Sequence, residues 1–219
     1  MLWNIRKEKK QKGKCVMDYR VYGITDCTMD LPTLLDSVEK AVKGGITVLQ
    51  YRAKLKDIPE MLEEVKAIQE IIRPYNVPLI INDYPDVAKV SGADGVHLGQ
   101  SDMNPKAVRE YLGDSFIIGL SVGNQEELKK LDVSVVDYIG VGAVYPTDTK
   151  NDAGESIGVE GFADICNRVI IPVVAIGGLT YNNAGAVIEK GADGIAMITE
   201  IFRADDIITS TQKIKGLWQ

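Results

Sequence analysis

The chain has 219 residues, 45% of them apolar and 26% charged, with a net charge of −6. That size and composition suit one large soluble domain, and an acidic body argues against general nucleic-acid binding. No apolar run approaches the roughly 18 residues that a membrane span needs.

The charge is uneven. Residues 1–16 carry Arg6, Lys7, Lys9, Lys10, Lys12 and Lys14 against the single acid Glu8. This head lacks the apolar core of a secretory signal. It reads as a disordered basic extension, followed by one domain over 17–219, with Met17 as an alternative start. Cys15, Cys27 and Cys166 are scattered, which fits a reducing cytoplasm and no zinc site. The oligomeric state stays open, a homo-oligomer included.

From residue 21 short β-rich runs recur: "VYGIT" (21–25), "ITVLQY" (46–51), "VPLIIN" (77–82), "GVHL" (95–98), "FIIGLS" (116–121), "YIGVGAV" (138–144), "PVVAIG" (172–177) and "GIAMI" (194–198). Helical patterns lie between them. Leu34, Leu35, Val38, Ala41 and Val42 form one apolar stripe, with Asp30 as cap and Gly44 or Gly45 as stop. Met61, Leu62, Val65, Ile68 and Ile72 repeat the spacing. "NPKAVREYLG" offers Asn104 as cap, Pro105 at the first helical position and Gly113 as stop. A further helix is expected over 180–191.

The strands are nearly continuous apolar runs, as expected when both faces are buried. Eight βα units in about 200 residues predict an α/β fold, a single (β/α)8 TIM barrel rather than an open sheet. "GADGVHLG" (92–99) returns as "GADGIAMI" (191–198). In each, the first Gly can end a helix in the left-handed conformation and the second starts a strand.

In such barrels the active site lies at the C-terminal strand ends. Strand 2 ends in Gln50, Arg52 and Lys54, which alternation puts on one side of an extended chain. Strand 3 ends in Asn82 and Asp83, strand 4 in His97, Gln100 and Asp102, and strand 5 in Ser121. The pair Asp83 and Asp102 admits two readings. One is an ordinary salt-bridge layer. The other is Mg2+, which takes one or two carboxylates plus substrate phosphate oxygens and water. Gly177-Gly178 after strand 7, with Ile198-Thr199 opening a short helix after strand 8, suits a phosphate. His97 reads as an interior residue rather than an acid-base catalyst, and one histidine makes a serine triad unlikely.

Together "VLQYRAK", "INDYPDVA", "GADGVHLGQSD", "GLSVG", "GVGAVYPTDTK", "VVAIGGL" and "GADGIAMIT" resemble the motifs of the thiamine phosphate synthase family, in that family's order, over about residues 19–203. The resemblance implies a TIM barrel. It also implies condensation of 4-amino-2-methyl-5-hydroxymethylpyrimidine diphosphate with a thiazole phosphate to give thiamine monophosphate and diphosphate. By motif, Gln50, Arg52, Lys54 and Asn82 resemble the pyrimidine-diphosphate contacts. Asp83 and Asp102 match Mg2+ ligands, and Ser121 and Lys150 match diphosphate contacts. Thr147, Thr149, Gly178, Ile198 and Thr199 match the thiazole-phosphate site. These small molecules are the implied partners, and the implied mechanism is dissociative.

Two positions depart from the pattern. Ala53 stands where the family carries an acid, which predicts a lost hydrogen bond beside Arg52 and Lys54. Gly123 stands where the family often has a histidine and where the related thiazole tautomerases place one for proton transfer; its absence argues against tautomerase chemistry. A regulatory paralogue and another phosphate-binding barrel, such as a sugar-phosphate epimerase, are the alternatives. The loop over 144–155 lies between the two expected anion sites and reads as a clamp and lid.

Overall fold

The computed structural model describes residues 17–147 and 155–219. The expectations for the basic head, Thr149 and Lys150 lie outside these residues. The strands are β1 (Val21–Ile24), β2 (Val48–Tyr51), β3 (Leu79–Asn82), β4 (Gly95–Leu98), β5 (Ile117–Val122), β6 (Tyr138–Val141), β7 (Val173–Ile176) and β8 (Gly194–Met197). All pair in parallel in chain order, and β8 returns to β1 with Ala196 opposite Tyr22. The result is the closed barrel that the alternation predicted. No described helix is long and apolar enough to cross a membrane.

Helices α1 (Leu31–Gly44), α2 (Ile58–Ile72), α3 (Pro85–Ser91), α4 (Pro105–Leu112), α5 (Gln125–Lys129), α6 (Gly158–Cys166), α7 (Ala184–Glu189), α8 (Thr199–Phe202) and α9 (Ile207–Gly216), with a 3-10 turn over Arg73–Tyr75, complete the described elements. Local chemistry sets their ends. The Asp30 carboxylate accepts from the Thr33 N–H at 3.0 Å, and Gly45 at φ 101° ends α1. Asp57 and Glu60 satisfy one another's backbone N–H groups, so α2 starts at Ile58. Asn104 caps α4 through the Lys106 N–H at 2.9 Å. The helix expected from 180 starts later. Asn183 accepts from the Thr180 N–H at 2.8 Å and donates to the Gly178 carbonyl at 2.9 Å, so Thr180–Asn183 is held as a turn.

Two apolar cores result. Outside the barrel, the α1 side chains Leu34, Val38, Ala41 and Val42 pack in one cluster with the outward strand residues. Each such burial contributes about 1.5–3 kcal/mol for a leucine- or valine-sized group. Inside the barrel a second cluster holds Tyr22, Ile24, Val48, Ile80, Tyr138 and Val174. The loop after β2 is tethered on the outer side. Tyr51 donates to Glu64 at 2.6 Å, and Lys56 pairs with the other oxygen of that buried carboxylate. Across the β8–β1 seam, Arg203 donates to the buried Asp26, which also accepts from Thr28 N and Oγ1 at 3.0 and 2.8 Å.

The repeated "GADG" segments have a common geometry. Gly92 and Gly191 end α3 and its counterpart segment at φ 67° and 97°. Asp94 Oδ2 accepts from the Leu79 N–H at 2.7 Å, and Asp193 Oδ2 accepts from the Val173 N–H at 2.9 Å. Asp137, ahead of β6, does the same to Ile118 at 2.9 Å. A Cβ on Gly95 would stand 2.2 Å from the Ile117 carbonyl, and one on Gly194 would stand 2.0 Å from the Tyr19 carbonyl. Only glycine fits where these strands begin.

Candidate active site

A cleft of about 660 Å³ opens at the C-terminal ends of the strands. The strand ends and the loops that follow them bring most of the expected residues to it. Arg52 and Lys54 from β2 face the cleft, whereas Ala53 between them is buried in the outer core. Asn82, Asp83, Asp102 and Ser121 occupy the next part of the wall. Gly178, Ile198 and Thr199 line the side formed by β7 and β8, and Thr147 lies at the rim. Gln50 is the exception. It is 2% exposed, is absent from the wall, and donates its amide nitrogen to the Tyr22 hydroxyl at 2.8 Å inside the barrel.

The wall has opposed charges. Arg52 is 8% exposed, its Nη1 donates to Cys27 Sγ at 3.2 Å, and its buried Nε has no hydrogen-bond partner among the described residues. Lys54 Nζ stands 3.8 Å from Asp83 Oδ2. Asp83 has the left-handed backbone φ of 65°, and its N–H donates to the His97 carbonyl at 2.9 Å. That conformation is uncommon for a residue with a side chain and costs free energy of about 1–3 kcal/mol. It holds the carboxyl group against that of Asp102, whose Oδ2 accepts from the Gly99 N–H at 2.6 Å. Burial, and then the adjacent Asp102 carboxyl group, push Asp83 up to about 6, although Lys54 opposes the shift.

A divalent cation would relieve that crowding. No group of three or more His, Cys, Asp or Glu side chains gathers among the described residues. The two carboxylates therefore fit an ion that keeps waters and takes further oxygens from a substrate, as Mg2+ does, better than a fully protein-caged metal.

The loop after β6 is fastened at both ends. Val144 and Tyr145 donate to the Ile176 and Gly177 carbonyls at 2.9 and 3.0 Å. Ile157 and Gly158 donate back to Ala143 and Val144 at 2.9 and 3.0 Å. Gly178, at φ 62°, lies so close that a Cβ would be 2.6 Å from the Pro146 carbonyl. The clamp expected from Thr149 and Lys150 lies outside the described residues; Thr147 is within them and reaches the cleft.

Sequence reasoning gave no role to two polar residues on the wall. Gln100 donates to the Ser121 carbonyl at 2.6 Å. Glu127 accepts from the Gly123 N–H at 2.7 Å and from the Asn124 amide at 2.8 Å. The signal for Glu127 was present: Asn124 followed three residues later by Glu127 is a capping-box spacing. His97 is 7% exposed, lines the cleft, and contacts Ser121 Oγ at 3.0 Å through Nε2.

Comparison with known proteins identifies the family. The sequence model described as thiamine monophosphate synthase matches residues 21–201. The thiamine-phosphate synthase of Azorhizobium caulinodans is 44% identical over 201 residues, covering 91% of this chain and 95% of the relative. That of Clostridium novyi is 43% identical, covering 92% and 99%. The solved thiamine phosphate pyrophosphorylase of Pyrococcus furiosus superposes with a TM-score of 0.82 at 36% identity, covering 92% of this chain and 96% of that one. With its barrel, the matched family model and these relatives in agreement, the chain belongs to the thiamine monophosphate synthase family of transferases.

Proposed function

We propose that the chain condenses 4-amino-2-methyl-5-hydroxymethylpyrimidine diphosphate with 4-methyl-5-(2-phosphoethyl)thiazole to give thiamine monophosphate and diphosphate, or with its carboxylated form to give the same products and CO2. The observation that carries this is Arg52. A guanidinium on the cleft wall, nearly buried and with an Nε that no described residue partners, is stabilised by an anion entering the cleft. The relatives' names supply the reaction class.

Arg52, Lys54 and Ser121, with Lys150 from the loop, hold the diphosphate in this reading. Asn82 meets the pyrimidine. Thr147, Thr149, Gly178, Ile198 and Thr199 hold the thiazole phosphate, supported by the position of the described members on the β7–β8 side and rim. Asp83 and Asp102 are the residues we assign to Mg2+. When bound there, the ion supplies positive charge to the diphosphate oxygens.

The chemistry then asks for positioning and electrostatics. The bond from the pyrimidine methylene carbon to the diphosphate oxygen breaks, and both electrons leave with the diphosphate. Arg52 and Lys54 stabilise that developing charge. The electron-rich aminopyrimidine supports the cation left behind. The thiazole nitrogen, held at about 3–3.5 Å by its phosphate tether, donates its lone pair to form the new C–N bond. No protein nucleophile or general base is required, which suits a chain with one histidine.

The test is formation of thiamine monophosphate from the two purified substrates, with Mg2+ and with EDTA. Product with Mg2+ and none with EDTA is expected. No product at any Mg2+ concentration would sink the reading.

A further inference from the structure

A line of hydrogen bonds runs through the barrel interior and ends at Ser121. Gln50 Nε2 donates to the Tyr22 hydroxyl at 2.8 Å, and the Tyr22 and Tyr138 hydroxyls lie 2.7 Å apart. The Tyr138 hydroxyl is 2.9 Å from His97 Nδ1, and His97 Nε2 is 3.0 Å from Ser121 Oγ. The five residues come from β2, β1, β6, β4 and β5. We infer that Tyr22 and Tyr138 are positioning residues which, through one tautomer of His97, aim the Ser121 hydroxyl proton into the cleft.

The direction of the line follows from its first member. An amide nitrogen only donates. Tyr22, accepting from it, has its own proton to give to Tyr138. Tyr138, accepting in turn, gives its proton to His97 Nδ1. A neutral imidazole that accepts at Nδ1 carries its hydrogen at Nε2. That hydrogen goes to Ser121 Oγ, which leaves the serine proton as a donor toward the cleft. Burial holds both phenols above their ordinary range, so each remains a neutral hydroxyl able to pass the order along.

The fold makes room for this line. Gly119 lies opposite both His97 and Tyr138 in the sheet register. A Cβ there would stand 2.2 Å from Tyr138 Cζ and 2.5 Å from His97 Nδ1. A Cβ on Gly140 would be 3.1 Å from His97 Cε1. Two glycines thus face the histidine–tyrosine contact. A bland reading is that the network only satisfies buried polar groups. It does not by itself account for a line that ends on a cleft-lining hydroxyl.

The inference rests on the reading of Ser121 as a diphosphate contact, where a donor is needed and an acceptor would repel. Its test is separable from that reading. His97 is the only histidine, so 15N-histidine labelling reports one residue. The wild-type protein is expected to show the Nε2–H tautomer. Tyr138→Phe keeps the ring and removes the donor to Nδ1; a mixture of tautomers is expected. Gln50→Met removes the donor that orders the line while keeping its volume, and should likewise give a mixture of tautomers. Both variants should lose about tenfold in kcat, on the scale of one misdirected hydrogen bond, with the thiazole-phosphate KM unchanged. An Nδ1–H tautomer in the wild type overturns the inference. So does an unchanged tautomer in both variants. A changed tautomer with full kcat and only a lower Tm makes the line a structural network and overturns it equally. Absence of synthase activity in the wild type would sink the functional reading while the tautomer result still stood on its own.

Discussion

Asp83 and Asp102 hold their carboxyl groups against one another at the ends of β3 and β4, and Asp83 keeps its proton up to about pH 6. Two like groups are gathered where separating them would be the more stable arrangement without a cation. Asp83→Ala and Asp102→Ala are each expected to lower kcat by at least about 100-fold, the scale of losing one main electrostatic contact. Because a ligating carboxylate must shed its proton, apparent Mg2+ affinity should fall as pH drops below about 6. Near-normal turnover in both variants would remove the metal assignment.

Gly178 ties the phosphate side of the cleft to the loop after β6. Its φ of 62° and the 2.6 Å that would separate a Cβ from the Pro146 carbonyl leave no room for a side chain. Gly178→Ala should push the Tyr145–Pro146 segment outward and raise the thiazole-phosphate KM by about tenfold or more, since misplacing a site by about 1 Å is costly. The pyrimidine-diphosphate KM should change less. Equal changes in the two constants would count against the division of the cleft into two subsites.

The Asp26–Arg203 pair gives a stability prediction with a definite sign. Burial opposes ionisation of Asp26, but bonds from Arg203 and Thr28 outweigh it and hold the carboxyl below its ordinary value. A lowered folded-state value contributes stability that is fully present above the unfolded value near 3.9 and is lost as pH falls through the folded value. Asp26→Asn should therefore lower Tm by a few degrees at pH 7. The gap from wild type should close below about pH 4. Thermal melts from pH 7 to pH 3 check this, and a constant gap across the range would refute it.

Much of this was legible in the sequence because it is local. Asp30 and Asn104 cap their helices as their spacing predicted. The strand ends and the segments just beyond them bring Arg52, Lys54, Asn82, Asp83, Asp102 and Ser121 to one cleft, where the rule for the C-terminal face of a barrel placed them. The turn at Thr180–Asn183 was missed because Asn183 bonds backwards to the chain instead of outward as a helix residue would. Gln50 alternates correctly with Arg52 yet lies one layer deeper, where Tyr22 takes its amide. The Tyr22–Tyr138 contact joins residues 116 positions apart. No periodicity in a single chain reports a partner across a closed barrel.

Asp94, Asp137 and Asp193 precede β4, β6 and β8, and each clasps the strand before it by its side chain. Their own N–H groups also donate to the Leu79, Ile118 and Val173 carbonyls. The barrel is thereby assembled as strand pairs whose offsets are locked at the end remote from the cleft. Alignment of the wall and chemistry on the wall are entrusted to different ends of the same strands. Damage to a clasp should surface as poor recovery of folded protein with normal turnover per folded molecule, whereas damage at the cleft should surface as well-folded protein that turns over slowly.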